Sequence, residues 1–185
     1  MQDTPLRPHV VSVNVSAVHS FSKAPALEAR LLEGLGVEGD AHCGTTVRHR
    51  FDRRRDPHRP NLRQVHLIGT ELFEEVAAHG YAVKPGDLGE NVTTTGVDLL
   101  ALPAGTLLRL GSQAEVRLTG LRTPCTLIDT LQPGLMRRMW GTDEAGRRTR
   151  RAGVMAVVTS TGAVRPGDPL TVVLPAAPPT PLSPV

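Results

Sequence analysis

Glycine and proline punctuate this chain so densely that long regular elements have little room. Of 185 residues, 18 are Gly and 16 are Pro. The apolar runs between them are short. Val11, Val13 and Val15 alternate with Ser12, Asn14 and Ser16 within residues 9–18, the side-chain period of a strand. Val65-His66-Leu67-Ile68 reads as a short strand, and further strands are expected at 91–95, 106–110, 114–119, 153–159 and 170–174. Pro85-Gly86-Asp87 recurs as Pro166-Gly167-Asp168, and a Pro-Gly pair suits the centre of a type II turn, where Gly accepts a positive φ. Gly111-Ser112 reads as a hairpin turn.

One stretch is convincingly helical, from Glu71 to His79. Thr70 is its expected N-cap, and Glu71, Glu74 and Glu75 sit toward the positive end of the dipole. Leu72, Phe73, Val76 and Ala77 make one apolar face, and Gly80 is a natural stop. A shorter helix is expected from Pro133 to Met139. Many short strands with few helices predict a β-rich barrel with helical additions. The length suits one domain, residues 1–174, followed by a Pro-rich tail, 175–185, expected to be disordered.

Composition narrows the function classes. No run of 18 apolar residues exists, so no membrane-spanning helix is expected. Met1-Gln2-Asp3-Thr4-Pro5 lacks the basic-then-apolar order of a secretory signal, and a cytoplasmic location is the expectation. The net charge is +3, and only Lys23 and Lys84 among the basic residues are lysines. Arginine's planar fork suits phosphate and carboxylate. Three Phe, one Tyr and one Trp offer little for base stacking, so a small anion such as a phosphorylated cofactor fits better than nucleic acid. Two cysteines, Cys43 and Cys125, build neither a disulfide framework nor a four-cysteine cluster.

Several residues have chemical potential. Cys125 ends Leu121-Arg122-Thr123-Pro124-Cys125, just beyond a strand, where Pro124 stiffens the backbone and Arg122 favours a thiolate. The alternative is a buried cysteine acting as a small hydrophobe. Gly36-Val37-Glu38-Gly39-Asp40-Ala41-His42-Cys43-Gly44 allows close backbone approach to a ligand and carries Asp40 and His42. His42, Cys43 and His49 lack the spacing of a zinc site. Asn91, entering a Thr-rich strand, suits either a heterocycle edge or a loop backbone. The glycines around it match neither a dinucleotide fingerprint nor a P-loop. Arg147, Arg148, Arg150 and Arg151 read as a solvated face or as a rim steering an anion. His9, His19, His58 and His79 have no local partner pattern and read as surface residues.

Five stretches in order resemble the MOSC family, named after the C-terminal domain of molybdenum-cofactor sulfurase. They are Gly36-Val37-Glu38-Gly39-Asp40-Ala41-His42, Arg63-Gln64-Val65-His66-Leu67-Ile68, Pro85-Gly86-Asp87-Leu88-Gly89-Glu90-Asn91-Val92-Thr93, Leu102-Pro103-Ala104-Gly105-Thr106-Leu107-Leu108-Arg109-Leu110-Gly111 and Arg122-Thr123-Pro124-Cys125. The likeness runs from about residue 10 to 174. It implies a β-rich barrel, the molybdenum cofactor (molybdopterin) as ligand, and Cys125 as the ligand to molybdenum. Asn91, Thr123, Arg122, His42 and Arg48 are the cofactor-binding residues it implies. Cys43 departs from the small residue usual at its position, and the Arg-rich 47–60 segment is idiosyncratic. Relatives include reductases of N-hydroxylated bases and amidoximes.

The resemblance therefore implies a small-molecule oxidoreductase supplied by an electron-donor protein. The alternative it leaves is a sulfur-relay or cofactor-carrier protein in which Cys125 bears a persulfide or holds the cofactor. A family-level association with pyridoxal phosphate also attaches to it, although no desulfurase domain fits within 185 residues.

Overall fold

The computed structural model describes residues 7–48, 56–143 and 145–185. The elements follow in the order β1 (His9–Val15), β2 (Ala24–Ala26), β3 (Ala29–Leu32), β4 (Gly36–Val37), β5 (Val65–Gly69), α1 (Thr70–Ala77), β6 (Val92–Thr95), β7 (Leu107–Leu110) and β8 (Ala114–Leu121). Then come α2 (Ile128–Leu131), α3 (Leu135–Arg138), β9 (Trp140–Thr142), β10 (Arg148–Arg150), β11 (Val154–Ser160), β12 (Gly162–Val164) and β13 (Leu170–Val173). The strands expected from alternation and turn signals are all present, within a few residues at each end. No helix among the described residues is long and apolar enough to cross a membrane.

Eight strands make one sheet, in the order β13-β7-β8-β11-β5-β6-β1-β2. Most neighbours are antiparallel, whereas β5 and β6 are parallel, with Leu67 opposite Val92. Their crossover carries α1, as a parallel pair requires. Along β8, Ala114, Val116, Leu118 and Gly120 are buried while the residues between them are not. This is the period-2 pattern of a strand with one face on the core. Val10, Val13, Leu67, Val92, Leu108, Leu110, Val116 and Val154 meet there, and Leu31, Val37 and Val164 of the three-stranded sheet β12-β3-β4 cover them. Burying each such side chain stabilises the fold by roughly 1.5–3 kcal/mol.

The expected barrel does not close. The ladder ends at β13 on one side and β2 on the other. The start of β1 meets the residues before β13 at one bridge, His9 opposite Pro169, with bonds from Val10 N–H to the Asp168 carbonyl (2.9 Å), from Leu170 N–H to the Pro8 carbonyl (3.0 Å) and from Gly167 N–H to the Val10 carbonyl (2.8 Å). Beyond this bridge a register shift between Val10 and Ser12 commits the rest of β1 to β6 and β2.

Helix α1 starts one residue earlier than expected. Gly69 is its N-cap and Thr70 its first helical residue, with no side-chain cap. Glu71 ties the helix start to the end of β6, accepting from Gly96 N–H (2.7 Å) and Thr95 Oγ1 (3.1 Å). The stop is as expected: Gly80 N–H reaches the Ala77 carbonyl and Tyr81 N–H the Val76 carbonyl, a Schellman closure. Leu72, Phe73 and Val76 pack with Ile68, Leu88, Ile128, Leu135 and Met139 in a second cluster. The short helix expected over Pro133–Met139 is present as α3, with Gly134 in the left-handed conformation at its start, and the unexpected α2 precedes it.

Residues 175–185, expected to be disordered, lie against β8. Leu121 N–H donates to the Ser183 carbonyl (2.9 Å), Ala104 N–H to the Thr180 carbonyl (2.8 Å), and Leu182 packs on the main core. Prolines forbid a helix but leave carbonyl acceptors, which this segment uses.

Gly153 precedes β11 with φ +92°. A Cβ there would sit 2.6 Å from Ile68 Cγ1 and 2.8 Å from His66 Nε2. Gly153→Ala is therefore expected to cost about 2–3 kcal/mol, from left-handed strain plus overpacking. A urea unfolding curve checks this, and an unchanged midpoint would contradict it.

Candidate functional site

One residue from each of five neighbouring strands falls in a row across the large sheet, through the registers Val13–Val92, Leu67–Val92, Val154–Leu67 and Val154–Leu121. A cavity of about 420 Å³ opens beside this row, and His66, Asn91, Arg122 and Met155 on its lining each adjoin a residue of the row in sequence. Cys125, Arg122, Asn91 and His42 line it, so the fold gathers four of the six residues singled out from the sequence. Lys23, Arg63, His66 and His19 add polar surface, while Phe21, Leu127 and Met155 add apolar surface.

Cys125 is placed by the chain leaving β8. Arg122 N–H bonds to the Gly153 carbonyl (3.0 Å), Pro124 is buried, and the Cys125 carbonyl accepts from Ile128 N–H (3.1 Å) at the start of α2. The thiol is half-buried. Arg122 lies beside it. Its Nη1 is buried and has no hydrogen-bond partner among the described residues, and its Cζ stands 5.8 Å from the Phe21 ring centroid. Burial lowers the Arg122 pKa; Cys125 and Glu90 oppose that shift and Arg63 adds to it. An unpartnered, charged N–H is costly, and an anion in the cavity would satisfy it.

Asp40 organises the opposite wall. It is buried and paired with buried Lys23. Its Oδ2 also accepts from Asn91 Nδ2 (3.0 Å) and Ser16 N–H (3.3 Å). Its Oδ1 accepts from His42 N–H (2.9 Å) and faces His42 Nδ1 at 3.2 Å. Burial opposes ionisation, but the bonds from His42 and the Lys23 charge outweigh it and hold the carboxyl well below the usual carboxylate range. Burial lowers the Lys23 pKa, with Asp40 resisting. We read the pair as ionised, because five donors converge on one carboxylate.

Asn91 is committed to this wall. Its Oδ1 accepts from His66 N–H (3.2 Å), and its Nδ2 donates to the Asn14 carbonyl (3.2 Å) as well as to Asp40. It shapes the cavity by tying β1, β5 and the Asp40 loop together. Buried His66 places Nε2 2.8 Å from the Ala152 carbonyl, and burial holds its pKa well below the ordinary imidazole value, so the ring is a neutral donor. Behind the wall, fully buried Glu90 accepts at Oε1 from Gly86 N–H and Thr93 Oγ1, while Oε2 has no hydrogen-bond partner among the described residues. Burial raises its pKa to about 7 despite these bonds. A carboxyl with a raised folded pKa stabilises the fold below its ordinary value and loses that advantage as pH rises toward 7. Glu90→Gln is thus expected to flatten the stability profile between about pH 4.5 and 7 and to gain about 2–3 kcal/mol above it. Parallel denaturant titrations at pH 5 and pH 8 check this; equal losses for both proteins would contradict it.

Thr123 and Arg48 are not among the cavity-lining residues. Exposed Thr123 accepts from Arg150 Nε (3.1 Å), and exposed Arg48 folds over Gly44, where a Cβ would meet its guanidinium. Cys43 also lies off the cavity lining; burial, then Asp40 and Glu38, push its thiol pKa up against Arg48. His49 and residues 50–55 of the Arg-rich segment lie outside the described residues. Arg147, Arg148, Arg150 and Arg151 do not line the cavity either: Arg147 pairs with Asp143, Arg151 with Glu75, and Arg148 lies 3.7 Å over the Trp140 ring. His19 is exposed as expected, yet it lines the cavity mouth and packs edge-on against His42 at 5.1 Å. The reading of the sequence missed Lys23, and the rarity of lysine in the chain was the one available signal. Among the described residues, no three His, Cys, Asp or Glu side chains gather as a metal cage.

A family model described as the MOSC domain matches residues 54–171. No curated protein matches the chain significantly. The fold is similar to that of the YUAD protein from Bacillus subtilis, with TM-score 0.72 and 24% identity over 90% of this chain and 96% of that one. It is also similar to YiiM from Escherichia coli (TM-score 0.62, 22% identity, 95% and 74% of the two chains) and to YiiM from Geobacillus stearothermophilus (0.62, 18%, 94% and 79%). At such identities the likeness is one of fold. Because the family model covers well over half of the chain and the mainly β architecture is shared with these structures, the chain belongs to the MOSC domain family.

Proposed function

We propose that this cavity holds the molybdenum cofactor, with Cys125 as the protein's ligand to molybdenum, and that the protein reduces N-hydroxylated compounds with electrons from a donor protein. The MOSC family is associated with molybdenum-cofactor binding. One observation carries the reading: a half-buried thiol and a buried guanidinium nitrogen with no hydrogen-bond partner among the described residues share one cavity. A soft thiolate suits a redox metal. A cofactor that brings its own dithiolene needs one protein thiolate and no cage of side chains. Arg122, with Arg63 and Lys23 nearby, would take the pterin phosphate in charge-assisted bonds.

When bound, the cofactor supplies two-electron redox chemistry at its metal. The chain's own residues hold and shelter it. Pro124 and the start of α2 fix the thiol, Arg122 grips the anionic end, and the Asp40–Lys23–Asn91 network keeps the facing wall in place. Phe21, Leu127 and Met155 keep water from the apolar side. The test is molybdenum and pterin content per chain, in protein purified from a host that makes the cofactor, followed by reduction of an amidoxime. Near-equimolar metal and pterin with turnover supports the proposal. Absence of both, with labile sulfur on Cys125, overturns it in favour of a sulfur relay.

A further inference from the structure

We infer that His42 delivers a proton to the substrate in the cavity, held in one tautomer by Asp40. This rests on the reductase reading above. Reducing R–NHOH to R–NH2 and water breaks the N–O bond. It takes two electrons, from the external donor protein, and two protons, ultimately from solvent. The departing oxygen needs a proton as the bond breaks, or it must leave as hydroxide. A positioned acid at that oxygen lowers the barrier.

Among the described cavity-lining residues the choice narrows on geometry. Lys23 is buried against Asp40, and His66 is fixed on the Ala152 carbonyl. Arg122 and Arg63 are guanidinium cations and do not give up protons at ordinary pH. Cys125 is assigned to the metal. Of the two remaining imidazoles on the lining, His19 is exposed at the mouth, whereas His42 is 28% exposed and oriented by Asp40, so it faces both the cavity and solvent. An ionised carboxylate accepts and does not donate, so the 3.2 Å contact makes His42 Nδ1 the protonated nitrogen and leaves Nε2 for the cavity. Asp40 is itself immobile, since Lys23, Asn91 and Ser16 occupy its other oxygen. The edge-on His19 ring brackets His42 on the exposed side. In this arrangement His42 gives its Nε2 proton to the departing oxygen and regains one from solvent, while Asp40 holds the ring in place. The resemblance implied a cofactor-binding His42; the geometry points instead to proton transfer.

His42→Asn tests this, because Asn keeps a donor toward Asp40 and removes Nε2. The variant is expected to retain molybdenum and pterin at wild-type levels, keep KM for benzamidoxime within about twofold, and lose kcat by roughly 10²- to 10⁴-fold, with partial rescue by added imidazole. Nitrogen-15 spectra of the cofactor-free full chain give a second readout. At a pH where the ring is neutral, the His42 proton should sit on Nδ1. Unchanged kcat, loss of metal in the variant, or a proton on Nε2 in the neutral ring would each overturn the inference alone. A wild-type protein that holds no molybdenum and reduces no N-hydroxylated compound would instead overturn the reductase reading.

Discussion

Cys125→Ser is expected to strip molybdenum from the purified protein, at least tenfold relative to wild type, while leaving thermal unfolding within about 1 kcal/mol of wild type. Replacing sulfur by oxygen preserves the shape of a side chain that is only half-buried. The surrounding backbone does not depend on it: Arg122 N–H still reaches Gly153, and Ile128 N–H still reaches the carbonyl of residue 125. What is lost is the soft anionic donor, because a serine hydroxyl stays protonated where a cysteine ionises. Metal analysis after gel filtration, paired with pterin fluorescence, measures the first part, and a melting curve measures the second. Cys43→Ala is the internal control. Burial and the Asp40 charge keep that thiol protonated, and it does not line the cavity. It should retain wild-type metal. Full occupancy in Cys125→Ser would remove the ligand assignment, and equal losses in both variants would point to a general thiol effect.

Asp40→Ala is the variant with the largest expected cost in stability. It leaves the buried Lys23 ammonium without its counter-charge and frees the Asn91 amide, Ser16 N–H and His42 from their shared acceptor. Breaking one side of a buried pair costs about 3–5 kcal/mol, equivalent to roughly 10 °C in a protein of this size. Removing the second charge as well, in Asp40→Ala with Lys23→Met, should recover much of that loss, since the unpaired buried cation is the expensive part. The pH dependence has a definite sign. The folded Asp40 pKa is depressed, so its contribution is present above the ordinary aspartate value near 4 and fades as pH falls below it. Asp40→Ala should therefore lack part of the wild-type acid limb. Melting curves of wild type, single and double variants between pH 3 and 7 measure all three effects. A single variant as stable as wild type would show that Asp40 does not anchor the wall.

The candidate site was half legible from local signals. Cys125 stood out because a strand end followed by Arg-Thr-Pro-Cys fixes where a thiol emerges, and the structure does set it in the cavity. Arg122, Asn91 and His42 lie in motifs whose spacing is short, so their neighbourhoods travel with them. Thr123 shares a motif with Cys125 and Arg48 follows the Gly-rich loop closely, yet neither lines the cavity, since a side chain's direction depends on what packs against it. Lys23 and Glu90 were invisible as partners. Their significance rests on pairings with Asp40 and on burial, and neither is encoded within a few residues of them. His66 reads as an ordinary strand residue until the segment before β11 supplies the Ala152 carbonyl, 86 positions away.

The sequence alone determined the strands of the main sheet that alternate, the helix ended by Gly80, and the turns at each Pro-Gly pair, because backbone preference and side-chain period act over a handful of residues. Tertiary structure alone decided the rest. The two-to-four-residue strands β2, β3, β4 and β12 exist through their partners. The sheet stays open because β1, past its single bridge to Pro169, is committed to β6 and β2, and the Pro-rich end lies against β8, which offers it a donor. The cavity, too, is a product of register: five strands that are distant in sequence align one residue each in a row across the sheet, and beside that row the Cys125 thiol, Arg122 and the Asp40-oriented His42 face the same space.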